Sequence, residues 1–97
     1  MRKIKVIYRI TYPNGKIYIG SDTAYSLVYF GSPDAARIAA DFSWEEQRDF
    51  SIRKEILWES DSATDSEVRT REMAVIRQLG ANNPAIGYNQ IPKFRAP

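Results

Sequence analysis

Three side chains stand out for the chemistry they could do. Glu72 falls on the apolar stripe that Val68, Val75, Ile76 and Leu79 would form on a helix, four residues after Val68 and three before Val75. A carboxylate on the buried side of an amphipathic helix is costly unless it is paired, hydrogen-bonded or bound to a cation. The ordinary alternative places it at the edge of the stripe, paired with Arg69 or Arg71. Tyr8 and Tyr18 are the other two. They sit on opposite arms of a hairpin, Val6–Tyr12 and Lys16–Gly20, joined by Pro13-Asn14-Gly15. Taken alone, both are also ordinary strand residues, because strands are rich in tyrosine.

The turn decides whether the tyrosines can act together. A two-residue Asn-Gly loop would set them on opposite faces. A three-residue loop pairs Tyr12 with Lys16, Ile10 with Tyr18 and Tyr8 with Gly20, so both share one face as diagonal neighbours. Proline, asparagine and glycine suit the successive positions of that longer turn, with glycine in the left-handed position. The three-residue register is therefore expected.

Composition narrows the chemistry further. The 97 residues contain no cysteine and no histidine. Disulfides, thiolate metal sites, cysteine nucleophiles and imidazole bases are all excluded. Catalysis would have to use carboxylates, tyrosines, lysines, arginines or a hard cation bound through oxygen. A formal charge of +2 permits nucleic-acid binding without demanding it. No signal peptide or membrane span is apparent, which makes a cytoplasmic protein the default expectation.

The elements that would carry these residues follow from pattern. Strands are expected over Lys3–Tyr12 and Lys16–Gly20, then a loop or irregular segment over Ser21–Tyr29. A helix begins near Ser32-Pro33-Asp34, with Ser32 as cap, and runs to about Trp44. Its inner face would hold Ala35, Ile38, Ala39 and Phe42. Phe50–Trp58 alternates with period two and reads as a third strand, with Phe50, Ile52, Ile56 and Trp58 on one face. A second helix, capped by Asp61, Ser62 or Thr64, ends at Gly80. The expected fold class is α/β (α+β), a small three-stranded antiparallel sheet flanked by helices. One domain over 1–97 is expected, with 92–97 as an extended tail.

Together these pieces resemble the GIY-YIG nuclease family. Val6-Ile7-Tyr8 and Tyr18-Ile19-Gly20 stand where the family has its two naming motifs, with Val6 in place of the first glycine. Arg71-Glu72-Met73-Ala74-Val75-Ile76 is similar to its glutamate-bearing helix, and Gly87-Tyr88-Asn89 to its late asparagine motif. The resemblance covers nearly the whole chain. It implies a metal-dependent endonuclease cleaving DNA phosphodiester bonds through contacts to the phosphate backbone. Carried over, Tyr8 and Tyr18 would sit at the phosphate, Glu72 would hold Mg2+ or Mn2+, and Asn89 would support the site. Arg9 and Lys16 would be the nearby cations able to depress a tyrosine pKa.

The family usually supplies an arginine on a helix soon after its second motif. Ser21–Ser32 contains none. Arg37 is the first arginine downstream and the leading substitute; its bland role would be a pair with Asp41. Arg9, Arg53 and Lys54 are weaker candidates. Two functions follow: an endonuclease domain, either self-contained or working with a separate DNA-binding domain or subunit, or a catalytically weak or inactive scaffold that binds nucleic acid or protein.

Overall fold

The central strand is the one whose residues are apolar on both sides. In β1 (Lys5–Thr11), Val6, Tyr8 and Ile10 point to one face and Ile7 to the other, and all four are buried. The computed structural model describes residues 4–24 and 29–96. After β1 come β2 (Ile17–Asp22), α1 (Ala35–Asp41), α2 (Trp44–Arg48), β3 (Arg53–Ser60) and α3 (Asp65–Leu79). The result is a small α+β fold with one antiparallel sheet in the order β2-β1-β3.

The hairpin has the expected register. Ile10 lies opposite Tyr18 and Tyr8 opposite Gly20. Tyr12 N–H donates to the Lys16 carbonyl at 2.9 Å, and Gly15 closes the turn at φ 84°. β2 runs two residues further than expected, to Asp22. The expected start of β1 at Lys3, residues 25–28 of the expected loop and Pro97 of the tail lie outside the described residues.

Each face of the sheet carries its own core. On the Tyr8 face, Val6, Tyr8, Ile10 and Tyr12 pack with Phe42 and Tyr88. On the other face, Ile7 and Ile19 pack with Val68, Ile76 and Ala81. α3 supplies the second core, and its stripe is the expected one. Thr64 caps it by accepting from Glu67 N–H, and Gly80 ends it at φ 70°.

Two expectations need correction. The single helix to Trp44 is two short helices. Phe42 breaks the first by taking an extended backbone and inserting into the Tyr8-face core, 4.9 Å from the Phe50 ring. Ser43 and Glu46 then start α2 with a reciprocal capping box. Asp34, not Ser32, caps α1, and Ala35 and Ala39 are exposed rather than inward.

The third strand begins at Arg53, leaving Phe50 and Ile52 ahead of it. A bulge shifts its register: Ile7 faces Trp58, whereas Tyr8 faces Ile56. Leu57 is the extra residue, so Ile56 and Trp58 fall on opposite faces rather than one. No helix among the described residues is long and apolar enough to cross a membrane.

Candidate functional site

α3 holds Val68 and Ile76 against the sheet, and Glu72 lies one turn from each on the same stripe. The carboxylate is half-buried. Its Oε1 accepts from Ser21 Oγ at 3.1 Å. Burial pushes its carboxyl above the usual range, while the Ser21 bond and nearby Arg69 pull it down. Neither suggested arginine forms an ion pair with it among the described residues. Arg71 instead lies over the Trp58 ring, 4.7 Å from its centre.

Glu72 opens onto a cleft of about 360 Å³ at the outer edge of β2, whose walls include Tyr18, Ser32, Arg69 and Asn89. Tyr18 leaves the sheet on the Tyr8 face and α3 covers the opposite face, so Tyr18 and Glu72 meet around the edge strand. The Tyr18 hydroxyl accepts from Ser32 N–H at 3.1 Å. Burial raises its pKa, the Ser32 bond opposes this, and Glu72 adds to the rise. The phenol therefore keeps its proton at neutral pH and is a hydrogen-bond donor there, not a base.

Tyr8 has a different environment. Its ring centre is 6.4 Å from that of Tyr18, but the side chain is fully buried and does not line the cleft. Its hydroxyl makes no hydrogen bond among the described residues. Two glycines enclose it. A Cβ at Gly20 would collide with the hydroxyl end of the ring, and one at Gly31 would lie 2.6 Å from the hydroxyl and also strike the Tyr18 ring. Gly31 further holds φ 78°, a region that side chains disfavour. Tyr29 packs edge-on at 6.3 Å, and Lys54 Nζ sits 4.5 Å above the ring. Burial is the main cause of an upward pKa shift at Tyr8, with Tyr18 next.

Asn89 is buried and fully engaged. Its amide accepts from Ile19 N–H at 2.9 Å and donates to the Ile19 carbonyl at 2.8 Å. It fixes the C-terminal loop to the edge strand and forms part of the cleft wall.

The remaining candidates lie elsewhere. Arg37 is outside the cleft lining; its backbone N–H donates to Asp34, and its Nε is 3.7 Å from that carboxylate. Asp41, its suggested partner, binds Lys16 and Tyr88 instead. Arg9 pairs with Glu55 directly opposite on β3, with Nε 2.7 Å from Oε1. Lys16 donates to Asp41 at 2.7 Å near the hairpin turn. Neither Arg9 nor Lys16 lines the cleft.

Arg69 does line the cleft, although the sequence suggested it only as a partner for Glu72. Its spacing was the available signal: residues three apart share one helix face. The donor set suits a hard cation that keeps most of its own water. It offers one half-buried carboxylate among hydroxyl and amide groups, with no imidazole or thiolate. No cluster of three acidic, histidine or cysteine side chains exists among the described residues. Comparison of the chain with family models, curated proteins and solved structures finds no match.

Proposed function

We propose that this chain is a divalent-metal-dependent endonuclease domain of GIY-YIG type, acting on DNA phosphodiester bonds. The reading rests on one observation: the Glu72 carboxylate and the Tyr18 hydroxyl share a cleft at the edge of β2. A magnesium or manganese ion held by Glu72 would supply phosphate polarisation and stabilise the leaving oxygen. The chain's own groups do the positioning. Ser21 orients Glu72, Ser32 N–H fixes the Tyr18 hydroxyl, and the Tyr18 proton is available to a phosphate oxygen. Asn89 keeps β2 in register with the loop that closes the cleft.

The test is nicking of supercoiled plasmid with magnesium or manganese, comparing the native protein with Glu72→Gln. Glutamine can still accept from Ser21 but cannot hold a cation by charge. Nicking is expected to fall by about 10²–10³-fold, the usual loss for one group that stabilises transition-state charge. Equal rates in both proteins would overturn the reading.

A second reading, a non-enzymatic nucleic-acid-binding scaffold, draws on the sealed Tyr8 hydroxyl and on Arg37 lying away from the cleft. It expects salt-dependent DNA binding indifferent to Glu72 and to metal.

A further inference from the structure

We propose that Arg69 is the phosphate-binding cation of the cleft, an assignment that rests on the nuclease reading above. Arg69 and Glu72 are three residues apart on α3, so they project from one patch of helix surface. Both line the same cleft.

A carboxylate and a guanidinium at this spacing ordinarily pair. Here Glu72 is engaged by Ser21 and forms no ion pair among the described residues, and Arg69 has neither hydrogen bond nor ion pair there. The other cations considered for this role are outside the cleft lining. Arg9 binds Glu55, Arg53 approaches it at 3.9 Å, Lys16 binds Asp41, and Arg37 Nε is 3.7 Å from Asp34 while its buried Nη1 has no partner among the described residues. Lys54 Nζ donates to the Tyr29 carbonyl at 2.7 Å. Among the described residues, Arg69 is the cation that lines the cleft.

Its planar fork of donors matches two oxygens of one phosphate, which an ammonium cannot reproduce. As a hydroxide ion from solvent adds to phosphorus, the bond to the leaving oxygen breaks, and that oxygen departs with the electron pair and takes a proton from water; meanwhile negative charge builds on the non-bridging oxygens. A guanidinium on the cleft wall offsets that charge. One turn of α3 thus offers an acid for a metal ion and a cation for the substrate anion.

The experiment compares Arg69→Ala, Arg69→Lys and Arg77→Ala, the last a control on the same helix. Two readouts are used: plasmid nicking, and the salt dependence of duplex-DNA binding in EDTA. Arg69→Ala should lower nicking about 10²–10³-fold. It should also reduce the slope of log affinity against log salt by about 1. Arg69→Lys should keep the slope, since the charge remains, yet nick more slowly than the native chain. Arg77→Ala should match the native chain in both. Urea midpoints check folding, and Arg69→Gln replaces the alanine variant if that variant unfolds.

If the native chain nicks DNA and Arg69→Ala behaves like Arg77→Ala, the assignment falls while the nuclease reading stands. Loss that follows Arg37→Ala instead has the same meaning. If the native chain neither nicks nor binds, both fall.

Discussion

Near the hairpin turn, Lys16, Asp41, Tyr88 and Asn14 form a closed network; at the β2 edge, Arg69, Glu72 and Tyr18 line an open cleft. Each group contains a cation, a carboxylate and a phenol. In the first, Asp41 Oδ2 accepts from Lys16 and from the Tyr88 hydroxyl, both at 2.7 Å, and Asn14 donates to that hydroxyl at 2.9 Å. Lys16, then Tyr88, hold the Asp41 carboxyl below its usual range. Burial, then the bond to Asp41, pushes Tyr88 up to about 12. In the second, Ser21 is the hydrogen-bond partner of Glu72 among the described residues, Arg69 acts on it only through its charge, and burial moves its carboxyl the other way. Residue types alone do not separate a structural lock from a candidate site. What separates them is whether the charges are already spent on one another.

Substitutions can test that contrast. Glu72→Gln should cost activity heavily but not stability. The folded carboxyl titrates above its ordinary value of 4.5, so folding favours the protonated form. The stabilising contribution is fully present below about pH 4.5 and lost as pH rises through the folded value. At pH 7 the variant should therefore unfold at or above the native urea midpoint, with the gap closing towards pH 4.5. A clearly lower midpoint at pH 7 would mean that Glu72 is structural after all.

Asn89→Ala leaves the Ile19 N–H and carbonyl without their partners and should cost about 2–4 kcal/mol in urea unfolding. Tyr88→Phe removes only a hydroxyl from the hairpin network, at about 1 kcal/mol, and should leave the salt slope of DNA binding unchanged. Lys16→Ala should have the smallest effect, because a partly exposed ion pair is screened; its midpoint should converge on the native one in high salt.

Much of the fold was legible in local chemistry. Pro13-Asn14-Gly15 specified the hairpin register, and the stripe ending at Gly80 specified α3 and the inward side of Glu72. The break after Asp41 was readable too, since Ser43-Trp44-Glu45-Glu46 is a capping-box pattern, but the alanine-rich run before it masked the signal. The bulge at Leu57 was not legible, because strand alternation carries no mark of where a partner slips by one. Nor was the fate of the cations. Lys16 finds Asp41 and Arg9 finds Glu55 only through the folded sheet, and the same long-range geometry leaves Arg69 on the cleft wall. Likewise, nothing local said that Gly20 and Gly31 would close over the Tyr8 hydroxyl.

The Asn89 amide has a consequence for assembly. With Tyr88 N–H on the Ile17 carbonyl and Ile17 N–H on that of Ile86, it occupies the outward backbone groups of Ile17 and Ile19. A side-chain amide here imitates a neighbouring strand without extending the sheet. A second molecule arriving at β2 finds no ladder to continue along this stretch, so edge-to-edge polymerisation on the cleft side is blocked by the domain's own C-terminal loop.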